Sequence, residues 1–246
     1  MGVAVVTGAS RGLGRALAEA LADRGWSVVI DGREANALAQ AAEGLRTHVQ
    51  PGAELVAIGG DVADAGHRRA LAEAVERLGS LDVLVNNASV LGPSPLPPLA
   101  EYPLDTLREV YEVNTVAPLA LVQELLPMLR QAAHPVVLNI TSDASVEAYE
   151  GWGGYGSSKA ALDHLSAVLA AEQPTLTVYA ADPGDMRTAM HQAAFPGEDI
   201  SDRPPPEDSV PGLLDLALGG RPSGRYRVAD LARATADEAV GGGAVA

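Results

Sequence analysis

Residues 3–14 read VAVVTGASRGLG, and this stretch decides the fold. Residues 3–7 are apolar and mostly β-branched, which predicts a short strand that stops at Gly8. Residues 13–24 then place leucine and alanine at helical spacing. The predicted order is strand, glycine turn, helix. The glycines let the backbone approach a pyrophosphate while the N–H groups of the helix point at it.

The same alternation continues along the chain. Further apolar runs alternate with segments rich in Ala, Leu, Glu and Arg. The runs lie at 27–31, 54–58, 82–86, 135–140 and 175–181, and the helical segments at about 36–47, 64–78, 103–130 and 155–172. Parallel strands are linked by crossovers that pack helices on both faces of the sheet. The sequence therefore predicts an α/β fold, a doubly wound parallel sheet of the Rossmann type, as a single domain over residues 1–246.

Towards the C-terminus the pattern changes. Residues 185–211 contain five prolines and little periodicity. Such a segment after a series of strands is typical of a functional lid, and we expect a substrate lid at 185–210. A helix near 207–218 and a short strand at 224–229 are expected to close the sheet. Residues 241–246 are rich in glycine and alanine, which predicts a flexible C-terminal tail.

Composition limits the partners and the chemistry. The chain has 32 Asp and Glu against 17 Lys and Arg, and so negative a surface repels nucleic acid and anionic membranes, so neither is expected as a partner. The absence of cysteine excludes disulfides and a cysteine nucleophile. No signal-peptide pattern begins the sequence, and the cytoplasm is the expected location. No metal is predicted, because the histidines lack ligand spacing and are expected on the surface: His48, His67, His134, His164 and His191.

The glycine turn carries a family resemblance. Gly8, Gly12 and Gly14 have the spacing Gly-x-x-x-Gly-x-Gly, which resembles the fingerprint of the short-chain dehydrogenase/reductase family. Alone this turn is weak evidence, because many strand-to-helix turns need glycine at positive φ without binding a nucleotide. Further matches follow in the family's order, however, and they cover residues 3 to about 188.

Several of these matches concern the cofactor. Asp61-Val62 stands where the family's Asp contacts adenine, and Asn86-Asn87-Ala88-Ser89 resembles the family's Asn-Asn-Ala-Gly, with Ser89 in place of the last glycine. Pro183-Gly184 with Thr188 resembles the segment that holds the nicotinamide carboxamide. The resemblance implies the following cofactor-binding residues: Gly8, Ser10, Arg11, Gly12, Leu13, Gly14, Arg33, Asp61, Val62, Asn87, Ala88, Tyr155, Lys159, Pro183, Gly184, Met186 and Thr188.

Four residues resemble the family's catalytic tetrad: Asn114, Ser142, Tyr155 and Lys159. A carbonyl that accepts a hydride needs a proton and a hydrogen-bond donor at its oxygen, roles that suit Tyr155 and Ser142. Lys159 lies one helical turn after Tyr155, where an ammonium favours the phenolate. The resemblance adds that Lys159 bonds the nicotinamide ribose and that Asn114 holds a water that links the lysine to solvent.

The resemblance implies an NAD(P)(H)-dependent oxidoreductase that transfers a hydride between a nicotinamide cofactor and a carbonyl or alcohol substrate. Other interpretations stay open. Taken singly, Asn114 could kink a helix, Ser142 could be a turn residue, Tyr155 could edge the core and Lys159 could be a solvated charge. A non-catalytic nucleotide-binding regulator of the same fold is the alternative function. Sugar epimerases and dehydratases share the Tyr–Lys pair but usually have a longer C-terminal substrate region.

Cofactor choice depends on the end of the second strand, Asp31-Gly32-Arg33. An acid there bonds the adenosine 2′-hydroxyl and repels a 2′-phosphate, whereas arginine attracts the phosphate. Gly32 aligns with the Asp of NAD-preferring relatives, which leaves Arg11 and Arg33 to face the phosphate. A shift of one residue would place Asp31 there instead. NADP(H) is therefore favoured over NAD(H).

The substrate loops are mostly apolar, which favours a hydrophobic or neutral small-molecule carbonyl or alcohol. The residues expected to contact it are Leu91, Leu96, Leu99, Met186, Met190 and Phe195. A homo-oligomer, dimer or tetramer, is expected from the resemblance, because the helices at 103–130 and 154–172 form the usual subunit interface of the family.

Overall fold

The computed structural model describes residues 2–231, and within them the chain forms one sheet of seven parallel strands. The tail predicted at 241–246 lies outside the described residues. The spatial order of the strands is β3-β2-β1-β4-β5-β6-β7. The strands are β1 (Val3–Val6), β2 (Ser27–Gly32), β3 (Leu55–Gly59), β4 (Val83–Asn86), β5 (Val136–Ile140), β6 (Thr177–Asp182) and β7 (Gly224–Arg227).

Eight helices lie between these strands in the described part of the chain, and residues 228–231, directly after β7, are helical as well. The eight helices are α1 (Gly12–Asp23), α2 (Ala35–Arg46), α3 (Ala65–Leu78), α4 (Leu104–Tyr111), α5 (Ala117–Leu129), α6 (Gly153–Glu172), α7 (Ala189–Ala194) and α8 (Val210–Gly219). The sequence predicted a single helix over 103–130, but a π-helical turn, Glu112–Val116, divides it into α4 and α5. Such turns widen a helix locally and are frequent at functional sites.

The sheet is covered on both faces. Alternate residues of β1 point to opposite sides, so Ala4 and Val6 join one apolar cluster with α1, α2 and α8. Val3 and Val5 join a second cluster with α3 and α5. Because both faces are covered, the central strands β1, β4 and β5 are buried along their whole length and show no alternation of buried and exposed residues. The predicted α/β class, doubly wound sheet and single domain are confirmed.

The strand order reverses between β1 and β4, and the crevice of a doubly wound sheet opens at such a reversal, beyond the carboxyl ends of the strands. Thr7, the first residue after β1, joins the two strand ends. Its hydroxyl donates to Val85 O at 3.2 Å and accepts from the N–H groups of Asn87 and Ala88, each at 3.0 Å. The glycine turn is thus held against the end of β4.

The segment predicted as a lid is less irregular than expected. It contains α7 at its start and a 3-10 turn, Pro206–Ser209, at its end. Pro196 follows α7 closely, which is consistent with the short length of that helix. Among residues 2–231, no helix is both long enough and apolar enough to cross a membrane.

Candidate active site

A cavity of about 1770 Å³ opens at the carboxyl ends of the strands. It runs from the glycine turn and the end of β2, past β4 and β5, to α6 and the segment after β6. Of the predicted site residues, all but two line it. The exceptions are Gly14, which faces Asn87, and Asn114, which is fully buried.

The glycine turn has the form that a pyrophosphate requires. Gly8 and Gly12 have φ values of +66° and +58°, which favour glycine. A Cβ on Gly14 would lie 2.4 Å from Asn87 Nδ2 and 2.7 Å from Gly8 O. The N-cap of α1 is Arg11, whose side chain makes no capping bond. The first N–H groups of α1 therefore have no side-chain cap and can bind an anion in the cavity, so the turn fits a dinucleotide.

Asp31 does not face the adenosine side of the cavity. Its side chain is buried, Oδ1 accepts from Gly8 N at 2.6 Å, and Oδ2 lies 3.0 Å from His67 Nε2. Both carboxylate oxygens of Asp31 therefore bond to groups inside the protein. The expectation that the histidines lie on the surface is wrong for His67, which is 7% exposed. Gly60 makes room for it, because a Cβ there would lie 2.2 Å from His67 Nδ1.

Gly32, Arg33 and Glu34, at and just after the end of β2, line the cavity. A Cβ on Gly32 would lie 3.0 Å from Ser10 Cβ, so this position is already close to the glycine turn. The Arg33 side chain is more than half exposed, and its Nη1 lies 3.8 Å from Asp61 Oδ2. Arg11 lines the same end of the cavity. The guanidinium groups of Arg11 and Arg33 therefore both lie at the end of the cavity next to β2.

Tyr155 and Lys159 meet at the floor of the cavity. Lys159 Nζ lies 5.6 Å from the centre of the Tyr155 ring and donates to Ile140 O at 2.8 Å. Burial lowers the pKa of Lys159 to about 8, against the opposing effect of the Asp163 charge. Asn114 lies in the π turn, and its Nδ2 donates to Ser158 Oγ at 3.0 Å. Ser158 directly precedes Lys159 on α6.

The pKa of Tyr155 is raised, chiefly because its phenol is buried. The hydroxyl of Ser89, within hydrogen-bond reach of the phenol, lowers it, and the charges of Asp182 and Asp143 raise it further. The family has glycine at the position of Ser89, so this chain adds a hydroxyl beside the tyrosine. In the structure Ser89 Oγ also donates to Asn114 Oδ1 at 3.0 Å.

Ser142 lies two residues beyond β5 and lines the cavity. Its Oγ donates to Asp143 Oδ1 at 3.0 Å and accepts from Ala144 N at 3.2 Å. Tyr149 donates to the other oxygen of Asp143 at 3.0 Å. The Ser142 hydroxyl is therefore oriented by the turn that follows the strand, with Asp143 as its nearest acceptor.

Asn114 has a structural role that the sequence analysis did not foresee. Its Oδ1 accepts from Ser89 Oγ and from Val90 N at 2.8 Å, and its Nδ2 donates to Val90 O at 2.9 Å and to Ser158 Oγ at 3.0 Å. The side-chain amide has no hydrogen-bonding group left for a water. The side chain therefore joins the π turn to α6 and to the loop after β4, and a water held by Asn114 would have to bind its main chain.

Comparison with known proteins places the chain in a family. A family profile described as short chain dehydrogenase matches residues 2–199. The protein belongs to the short-chain dehydrogenase family. The chain is 37% identical over 227 residues to a 1-deoxy-11-beta-hydroxypentalenate dehydrogenase of Streptomyces arenae, covering 88% of this chain and 78% of that one. It is 35% identical over 203 residues to sepiapterin reductase of Rattus norvegicus, covering 78% and 77%.

A solved short-chain dehydrogenase from Shigella flexneri 2a, complexed with NADP, superposes with a TM-score of 0.84 at 29% identity, covering 93% of this chain and 97% of that one. As a short-chain dehydrogenase, the protein is an NAD(P)(H)-dependent oxidoreductase that transfers a hydride between a nicotinamide cofactor and a carbonyl or alcohol. The alternative of a non-catalytic regulator finds no support, because the named relatives are a dehydrogenase and a reductase.

The sequence analysis missed the charged residues behind the site. Asp163, Asp182 and Arg225 form ion pairs there, at 3.0 Å for Arg225 Nε to Asp163 Oδ2 and 3.5 Å for Arg225 Nη2 to Asp182 Oδ2. A signal was available for Asp31 and Asp182, since each stands at the end of a continuous apolar run. An acid in such a place requires a buried partner, and the partner cannot be identified from sequence spacing.

We predict that Gly14→Ala weakens NADPH binding about 10-fold to 100-fold, because the added methyl displaces Asn87 or the Gly8 carbonyl and so distorts the glycine turn. Gly224→Ala is the control, since its methyl would lie 3.6 Å from the Tyr226 ring, an ordinary contact, and Gly224 does not line the cavity. Fluorescence titration with NADPH measures both. Equal affinity in the two variants would show that the turn tolerates the displacement.

Proposed function

We propose that this protein is an NADPH-dependent carbonyl reductase in which Tyr155 is the general acid. The observation that carries the proposal is the meeting of a buried phenol and a buried ammonium on the floor of a cavity whose other end has the form of a dinucleotide site. The cofactor, when bound, supplies the hydride. The residues of the chain hold it, exclude water and move the proton.

The dinucleotide is held along the carboxyl edge of the sheet. The uncapped N-terminus of α1 and the glycine turn take the pyrophosphate. Asp61 and Val62 take the adenine, and the segment Pro183-Gly184 takes the carboxamide. Thr188 comes close to the turn, since a Cβ on Gly12 would lie 3.7 Å from its methyl group. The proposed pyrophosphate and carboxamide contacts are therefore neighbours in the fold.

Preference for NADP(H) is supported by Arg33 and Arg11 and by the orientation of Asp31. A carboxylate that repels a 2′-phosphate has to face it. Asp31 is instead buried and bonded to Gly8 and His67, so its charge is partly screened by partners inside the protein. The solved relative from Shigella flexneri is itself complexed with NADP.

The proton moves at Tyr155. The phenol protonates the substrate oxygen as negative charge develops there, and Ser142 donates a hydrogen bond to the same oxygen. Lys159 favours the phenolate that is left behind, because its ammonium lies against the ring. A lysine pKa of about 8 also allows Nζ to give up a proton near neutral pH. Asn114 fixes the position of this helix through Ser158.

The proposed substrate is a neutral, largely apolar carbonyl or alcohol. Beside Tyr155, Leu91 and Ala144 pack with side chains from the loop after β4 and from α7. The others in this cluster are Leu96, Trp152, Met190, Ala193 and Ala194. Of the substrate residues expected from the sequence, Leu99 is placed differently, since it is 65% exposed and lies against Gly153. Asp143 and Asp185 line the cavity and disfavour an anion.

We also propose that residues 185–210 act as a lid. Ser94 Oγ donates to Ala193 O at 2.6 Å, and the Phe195 ring lies 6.1 Å from that of Trp152, so α7 covers the apolar wall. Arg187 N donates to Pro204 O at 2.8 Å, which closes the segment on itself. Opening of the segment requires these contacts between α7 and the wall of the cavity to break.

A homo-oligomer, dimer or tetramer, is proposed as well. The described structure supports it through exposed apolar side chains next to α5 and on α6, where Val116 is 46% and Val168 is 38% exposed. Both lie in the two segments that the family resemblance assigns to the subunit interface.

We predict that Tyr155→Phe lowers kcat for carbonyl reduction about 10²-fold to 10⁴-fold, because the proton donor is lost while the ring still packs. NADPH affinity should stay within about twofold, since the hydroxyl is assigned to the substrate. Tyr226→Phe is the control, as its exposed hydroxyl bonds Pro222 O away from the cavity. The proposed mechanism fails if Tyr155→Phe turns over as fast as Tyr226→Phe.

We expect Arg33→Ala to weaken NADPH binding about 10-fold to 100-fold and NADH binding about twofold or less, because only NADPH carries the phosphate that the guanidinium would bind. Arg46→Ala on α2 is the matched control, since that side chain is also exposed and pairs with Glu43. Isothermal titration with both cofactors gives the comparison. Equal losses for NADPH and NADH in Arg33→Ala would contradict the assignment.

For the lid, we expect amide hydrogen exchange over residues 185–210 to slow when NADPH and an unreactive substrate analogue are added together. The reason is that the bound ligands would fill the cavity under α7 and contact that helix, which opposes its opening. The second half of α5 serves as the internal reference, since Leu121, Leu125 and Leu129 are buried in the second apolar cluster and do not line the cavity. Unchanged exchange in 185–210 with both ligands bound would mean a permanently ordered surface segment.

A further inference from the structure

Three other parts of the chain meet the guanidinium of Arg225, which lies on β7. Its Nε donates to Asp163 Oδ2 on α6 at 3.0 Å. Its Nη2 donates to the main-chain oxygen of Ser142 at 2.9 Å, and the same nitrogen lies 3.5 Å from Asp182 Oδ2 on β6. Arg225 is beyond residues 2–199, the part of the chain that the family profile matches.

The carbonyl of Ser142 is the most heavily bonded group in this cluster. It accepts from Ser145 N at 3.1 Å, from Ser145 Oγ at 2.7 Å and from Arg225. Ser145 Oγ also lies 2.6 Å from Asp163 Oδ2. Since the hydroxyl of Ser142 belongs to the same residue, its place in the cavity depends on how firmly this carbonyl is held.

The two carboxylates beside Arg225 also face the acid–base pair. Asp163 lies one turn after Lys159 on α6, and its charge raises the pKa of that lysine. The charge of Asp182 raises the pKa of Tyr155, and Arg225 in turn lowers the pKa of Asp182 against the raising effect of burial. The Arg225 guanidinium thus partly neutralises Asp163, whose charge acts on Lys159, and Asp182, whose charge acts on Tyr155.

We infer that Arg225 is a positioning residue of the active site, which holds the backbone under Ser142 and compensates Asp163 and Asp182 behind Tyr155 and Lys159. This inference rests on the proposed roles of Ser142 and Tyr155. Arg227, two residues further on β7, carries the same charge and lies 3.7 Å from Asp182 Oδ2. Its side chain is 60% exposed, and within residues 2–231 it forms no ion pair with Asp163.

The sign of the pH effect follows from the charges. Alcohol oxidation requires the phenolate of Tyr155, so the rate rises with pH through the pKa of the acid–base pair. Loss of the Arg225 cation leaves more negative charge nearby and raises the pKa values of Tyr155 and Lys159. The rising limb should therefore move to higher pH. The charged groups that face the pair or these carboxylates are Asp143, Asp163, Asp182, Arg225 and Arg227.

The test compares Arg225→Met with Arg227→Met, using an alcohol that the wild type oxidises and Tyr155→Phe does not. If no such substrate exists, it is the proposed function that fails and not this inference. We expect Arg225→Met to lower kcat about tenfold or more and to move the limb up by roughly one pH unit, with NADP⁺ affinity unchanged. Arg227→Met should keep kcat within about twofold, with a much smaller move of the limb.

Arg225→Lys separates position from charge, and it keeps the test informative if Arg225→Met does not fold. A lysine preserves the cation but cannot bond Asp163 and Ser142 as a fork. For Arg225→Lys we expect the same pH profile as for the wild type. Its kcat should lie between the kcat of the wild type and that of Arg225→Met. Either of two results would overturn the inference. One is a wild-type kcat in Arg225→Lys. The other is a loss of thermal stability in Arg225→Met while its kcat and pH profile match those of Arg227→Met.

Discussion

The contact between the ends of β1 and β4 is the constraint on which the site depends. At this point the strand order reverses, and neighbouring chain segments diverge to open a crevice. Thr7 bonds across the divergence to Val85, Asn87 and Ala88, and Asn87 Nδ2 donates back to Thr7 O at 2.8 Å. The glycine turn is therefore placed relative to the rest of the cavity before any ligand binds, which reduces the entropic cost of binding.

The second constraint is electrostatic. Lys159 is only 2% exposed, and an ammonium so deeply buried loses its hydration. The Ile140 carbonyl replaces part of that hydration, and Asp163 favours the charged form. Asp163 thus stabilises the charged lysine, whereas Asp182 and Asp143 disfavour the phenolate of Tyr155, so a cation behind the site has to balance this negative charge. Arg225 on the edge strand β7 meets that need, since it pairs with both Asp163 and Asp182.

The fold could be predicted from the sequence because its signals are local. Apolar runs, a glycine turn and helical spacing each report on a few neighbouring residues, and together they require a parallel sheet. The order of Asn114, Ser142, Tyr155 and Lys159 was readable for the same reason, through resemblance to a family pattern.

What could not be predicted depends on which side chains meet across the fold. The alternatives of Gly32 and Asp31 for the adenosine position differ by one residue, and only the bonds from Gly8 and His67 show that Asp31 faces inward. The π turn at Asn114 has no local signal, and the partners of the Asn114 side chain come from the loop after β4 and from α6. Arg225 reaches residues more than 40 positions away in sequence, a separation that no periodicity reports.

The most direct test of the central claim is the fate of the hydride. NADPH deuterated at nicotinamide C4 is incubated with the enzyme and a panel of neutral apolar ketones and aldehydes, and the products are analysed by mass spectrometry. We predict an alcohol that carries one deuterium on the former carbonyl carbon, formed by the wild type and lost in Tyr155→Phe. Alcohol formed without deuterium, or no alcohol from any carbonyl while NADPH binds tightly, would contradict the account.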